Sequence, residues 1–104
     1  MRVELWIRAD LTRRPDGKPA PLRRVCGWDD PTARTARQAA DHAWEVCSRS
    51  AHVLNPQERE WREAWDAAAQ GYGFGVGDVA VVDGRALRCE PNGFSPTELP
   101  QEGD

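Results

Sequence analysis

Residues 75–90 read Gly-Val-Gly-Asp-Val-Ala-Val-Val-Asp-Gly-Arg-Ala-Leu-Arg-Cys-Glu, and the fold is decided here. Val79, Val81 and Val82 form a β-branched run with little polarity. Asp83-Gly84 follows, a pair that takes the positive φ angles of a tight type I′ turn with little strain. Arg85, Leu87 and Cys89 then alternate with Ala86 and Arg88, as a returning strand requires. The spacing predicts a β-hairpin over 77–90.

Upstream of the hairpin, Asn55-Pro56-Gln57-Glu58 opens a helix, with Glu58 placed three residues after the cap as in a capping box. Trp61, Ala64, Trp65 and Ala68 share a face, while Glu58/Arg62 and Arg62/Asp66 are spaced for i,i+4 pairs outside. Gly71 supplies a stop. Earlier still, Asp30-Pro31 offers an N-cap and a proline for the first helical position. Ala33, Ala36, Ala40, Ala43 and Cys47 then fall in one stripe, with Ala39 and Trp44 at its margins. Small residues let such a helix lie close against a sheet. The expected helices cover 31–49 and 56–70, with Trp44 and Trp61 or Trp65 assigned to the core.

At the start of the chain, Val3, Leu5, Ile7, Ala9 and Leu11 alternate with Arg2, Glu4, Trp6, Arg8 and Asp10. That period of two predicts a half-buried strand over 2–11. Trp6 lies on the polar parity, so either it binds something or the second face of the sheet is covered; large aromatics favour cover. Residues 12–21 carry Pro15-Asp16-Gly17, Pro19 and Pro21 and read as a loop. A second strand is expected over 22–28. After the hairpin, Pro91-Asn92-Gly93 makes a turn, Phe94 to Leu99 reads as a short last strand interrupted by Pro96, and 100–104 form a polar end expected to be flexible. Together these elements describe a single compact α+β domain spanning 1–104. Its sheet is small and mostly antiparallel, with two amphipathic helices, in the order β-β-α-α-β-β.

The C-terminal third resembles the YodL-like domains, small domains of unknown function scattered among mobile-element and phage proteins of Gram-positive bacteria. The matching residues are Val76-Gly77-Asp78-Val79, Val81-Val82-Asp83-Gly84, Ala86, Cys89 and Asn92-Gly93-Phe94. Actinobacterial members often carry a small amphipathic helix upstream, to which the stripe from Ala33 to Cys47 corresponds. Two positions depart from the pattern: Tyr72-Gly73-Phe74-Gly75 replaces a polar lead-in, and Leu87 stands where an aromatic is usual. The resemblance implies a phage or mobile-element origin and brings no catalytic residues with it.

Composition narrows the function classes. The chain has 104 residues, 39% apolar and 30% charged, which suits a soluble globular protein. No apolar run approaches the ~20 residues of a membrane span, and the first residues lack the pattern of a signal peptide. Three cysteines (Cys26, Cys47, Cys89) without a C-x-x-C pair point to reduced thiols and a cytoplasmic location. Net charge is −3, unevenly placed, with nine Lys/Arg against five Asp/Glu in residues 1–40 and five against twelve thereafter. An acidic chain is a poor non-specific nucleic-acid binder, although Arg8, Arg13, Arg14, Lys18, Arg23 and Arg24 are capable of forming a local basic patch.

Few residues point to catalysis. His42 and Cys47 lie about 140° apart around a helix and cannot share a metal. Cys47 sits on the apolar stripe, where burial suppresses reactivity, and His52 falls near a helix end. Glu58, Glu60, Glu63 and Asp66 interleave with Arg59 and Arg62 as a solvated helix face does. The glycines at 71, 73, 75 and 77 come after a helix and before a strand, the reverse of a phosphate loop. No catalytic residue, metal or cofactor is therefore expected. Five tryptophans are many for this length, and tryptophan is enriched at binding hot spots. The expected function is a non-catalytic accessory protein that binds another protein, such as a host or defence factor, or a second copy of itself. Trp6, Trp28, Arg13, Arg14, Arg23 and Arg24 are the candidate partner-binding residues. The alternative is a nucleic-acid-binding domain that uses the N-terminal arginine loop.

Overall fold

The computed structural model describes residues 1–8 and 22–100. Strands β1 (Arg2–Ile7) and β2 (Arg23–Asp29) are followed by helix α1 (Ala36–Ser48), a single 3-10 turn (Ala51–Val53) and helix α2 (Pro56–Ala69). Strands β3 (Val79–Val82), β4 (Arg85–Glu90) and β5 (Gly93–Pro96) complete an α+β fold. All five strands form one antiparallel sheet in the order β2-β1-β3-β4-β5. The short last strand read from Phe94 forms as β5, running from Gly93 to Pro96 and adding to the order β-β-α-α-β-β; it pairs with β4, with Cys89 opposite Phe94.

The hairpin forms as its residues dictate. Asp83 and Gly84 take φ angles of 48° and 81°, both positive as a type I′ turn needs. The Asp83 carboxylate also accepts from the Arg2 N–H at 2.8 Å, fastening the turn to β1. Strand β3 is buried along its whole length, because its neighbours β1 and β4 flank it and both faces are covered. Ala80 and Val82 join Val3, Leu5 and Ile7 in the main core beneath the helices. Val79 and Val81 face the other way, with Trp6 and Ala86 and against Leu22.

Two boundaries move from the sequence reading. Helix α1 begins at Ala36, not at residue 31, because the Asp30 side chain is used elsewhere. Its Oδ1 accepts from Thr32 and Ala33 N–H groups and the Thr32 hydroxyl, closing a turn. Thr35 is the true cap and accepts from Gln38 N–H at 3.1 Å. Strand β1 stops at Ile7, and the rest of the segment expected over 2–11, like the loop 12–21, falls outside the described residues, apart from Arg8. The end expected to be flexible, 100–104, lies outside them from residue 101 on. Helix α2 starts as foreseen, at Asn55 with a complete capping box to Glu58.

Strands β1 and β2 approach closely at Gly27. A Cβ there would stand 2.7 Å from the Val3 carbonyl oxygen and 3.0 Å from an Arg2 guanidinium nitrogen. A backbone atom cannot swing away, so the strands must part. Gly27→Ala is expected to cost about 1–3 kcal/mol of unfolding free energy, the usual penalty of overpacking, in a chemical-denaturation curve.

Candidate functional site

Of the residues expected to bind a partner, Trp6 and Trp28 belong to separate clusters of the core. Trp28 is only 5% exposed and stacks on Trp61, centroids 5.2 Å apart and planes within 5°. Trp6 is 8% exposed, covered on the second face of the sheet. Neither ring is offered to a partner, so both are corrected from candidate binding residues to core. Trp6 is covered by packing on the second face with Val79, Val81, Ala86 and Leu22, and Trp28 by the arrival of α2 over β2. Arg23 and Arg24 are exposed at the start of β2, and Arg24 meets Glu4 at 3.5 Å. Arg13 and Arg14 lie outside the described residues.

A cluster that the spacing did not suggest joins the two helices to the end of β2. His42 on α1 has Nδ1 2.6 Å from Asp30 Oδ2 and Nε2 2.6 Å from Glu58 Oε2. A neutral imidazole has one N–H and would set a lone pair against one of these oxygens. Two flanking carboxylates favour the doubly protonated ring, in which each nitrogen donates to one of them. Burial pulls the His42 pKa down, but the hydrogen bonds to Glu58 and Asp30 outweigh it and leave it above the usual histidine value. Asp30 is fully buried, which alone would raise its pKa; bonds from His42 and Thr32 bring it below the usual carboxylate range. Glu58 is lowered by the Asn55 backbone N–H and then by His42.

This arrangement is a clamp. An imidazolium with both protons engaged has no lone pair with which to take a proton from a substrate. Arg62 strengthens the same contact from α2, donating to the Val46 carbonyl at 3.1 Å and to the Arg49 carbonyl, at the C-terminal end of α1. The Glu58/Arg62 surface pair expected from spacing is thus replaced by two links to α1, with Asp66 the partner Arg62 keeps at 3.0 Å. The thiols are also unsuited to attack: burial lifts Cys26 to about 11 and pushes Cys47 and Cys89 up as well. Among the described residues, no group of three or more His, Cys, Asp or Glu side chains has the arrangement to hold a metal ion.

One cleft, of about 340 Å³, lies between α1, the loop before β3 and the β4–β5 turn. Asp41 and Trp44 of α1 form one wall, Gly75 and Val76 another, and residues 89–94 the remaining side. The interior is held rigidly. Phe94 stacks with Phe74 at 6.2 Å, and Phe74 meets the edge of Trp65 at 5.9 Å, so α2 props β5 from inside. Buried Asp78 fixes the loop: its carboxylate accepts from Gly75 N–H at 2.9 Å and Arg8 N–H at 3.1 Å. Its backbone carbonyl accepts from Cys89 N–H at 2.8 Å. Burial raises the Asp78 pKa more than those side-chain bonds lower it.

Trp44 is 44% exposed and Val76 65% exposed at the mouth of this cleft. Trp44 was expected in the core. It lies at the margin of the alanine stripe, and the stripe is buried through Ala39, Ala40, Ala43, Val46 and Cys47 instead. That marginal position on the helix was the available signal for an outward ring. Compared with known proteins, the chain matches no family model, no curated protein and no solved structure. Among the described residues, no helix is long and apolar enough to cross a membrane.

Proposed function

We propose that this chain is a non-catalytic accessory protein that acts by binding another protein, through the cleft beside Trp44. The observation that carries the reading is a half-exposed tryptophan next to an exposed valine over a rigid apolar floor. Water gains nothing from that ring, and Trp is the side chain that contributes most at interface centres. The resemblance of residues 76–94 to the YodL-like domains supports a phage or mobile-element context, in which the partner is a host or defence factor. Free thiols at Cys26, Cys47 and Cys89 suit a reducing cytoplasm.

The test is affinity capture with quantified recovery, comparing wild type with Trp44→Ala and with Arg23→Ala/Arg24→Ala. Loss of a specific partner by at least about tenfold is expected for Trp44→Ala, equivalent to ~1.4 kcal/mol, with recovery retained by the arginine variant. A Trp44→Ala protein that keeps every partner would remove the cleft from the account. Loss confined to the arginine variant would favour the basic segment instead.

A further inference from the structure

Resting on the binding reading above, we propose that the cleft takes one arginine or lysine side chain from a linear segment of the partner protein. Asp41 and Glu90 are the charged residues among those lining the cleft, and no cation lines it among the described residues. Glu90 is ion-paired with Arg88, whose Nη2 and Nε donate to Oε1 at 2.7 and 3.0 Å beside the Ser95 hydroxyl at 2.8 Å, so among the described residues Asp41 is the lining carboxylate outside an ion pair. The Cys89 thiol on the cleft floor is pushed up first by burial and then by Asp78, Glu90 and Asp41 together.

Apolar walls with carboxylates at the rim match a long basic side chain better than an aliphatic one. The methylene stem of arginine or lysine packs on apolar surface while its head stays at a polar margin. Trp44 adds a ring face on which a cation is attracted by the quadrupole. A volume of about 340 Å³ stands at the lower end of ligand pockets, roughly 300–1,000 Å³, so it admits a side chain and its neighbours but no folded element. Arg37 lies in the adjoining depression with Asp41 and Glu90, so the cationic end belongs on the Trp44 side.

The experiment is selection of a random linear-peptide phage library on the immobilised full chain, with Trp44→Ala protein as the counter-selection. Recovered peptides are expected to carry Arg or Lys beside an apolar residue. Their affinity should fall about tenfold or more with Asp41→Asn/Glu90→Gln and should weaken with added salt. Circular dichroism confirms that this double variant, which keeps side-chain shape at both positions, is folded. Peptides that depend on Trp44 but show no basic enrichment would overturn the proposed chemistry and leave the cleft as a binding site. No Trp44-dependent peptide would count against both. Spermidine binding in a Trp44-dependent way, with no peptide recovered, would replace the protein segment with a small polyamine.

Discussion

Replacing His42 by alanine should lower the unfolding free energy by about 3 kcal/mol, because it strands the fully buried Asp30 carboxylate without its cation. Breaking a buried ion pair from one side typically costs ~3–5 kcal/mol. The lower end applies here, since His42 keeps 22% of its side chain in water. For a domain of this length the loss corresponds to a fall in Tm of roughly 10–20 °C. His52→Ala, at an exposed position, should stay within about 0.5 kcal/mol of wild type and serves as the control.

The same contact sets a pH signature with a definite sign. His42 has a raised pKa in the folded state, so its contribution is complete below the unfolded value of about 6.5 and is lost as pH rises through the folded pKa. Asp30 and Glu58 have lowered pKa values. Their contribution is complete above about 4–4.5 and is lost as pH falls through their folded values. The stability difference between wild type and His42→Ala should therefore plateau between about pH 4.5 and 6.5 and shrink on both sides. Urea denaturation across that range measures it. A difference that grows steadily toward alkaline pH would be the opposite of the expected profile.

Trp61→Ala should be at least as damaging, at about 3–5 kcal/mol, the range for truncating a buried tryptophan. Its ring is 6% exposed, stacks on Trp28 and presents itself to the edge of His42 at 5.5 Å. Trp61 and Trp65 are the large side chains through which α2 reaches the core, with Ala69 one further turn along. Removing Trp61 opens a cavity between β2 and the helices and lets water reach the clamp. A double-mutant cycle with Trp28→Ala should show a coupling of about 0.5–1.5 kcal/mol from the stacked pair. Additive effects of the two substitutions would mean that the stack contributes nothing beyond its area.

The elements that local chemistry defines were legible in the sequence. Asp83-Gly84 demands a I′ turn, Asn55 and Glu58 write a capping box, and the alternation of Val3, Leu5 and Ile7 needs one buried face. Each signal acts within a few residues of itself. Asp30-Pro31 misled for the same reason: its pattern fits a cap, but the carboxylate is drawn to His42, twelve residues away, and the helix starts later. The clamp was invisible because Asp30, His42 and Glu58 meet only when α2 folds back across α1. Surface spacing made Glu58 look solvated. Tryptophan placement was legible in part: Trp6 is covered, as its size favours, and Trp61 and Trp65 are core, but Trp28 is buried under α2 and Trp44 sits at the edge of a stripe too narrow to cover it.

The division between a structural histidine and a binding cleft elsewhere is tested most directly by nitrogen-15 NMR of the His42 ring as a function of pH. The expected spectrum shows protons on both Nδ1 and Nε2 at about pH 6, with the titration midpoint displaced above the usual histidine value of about 6.5. A ring whose midpoint lies at or below the usual histidine value would contradict the clamp and restore His42 as a base available for chemistry.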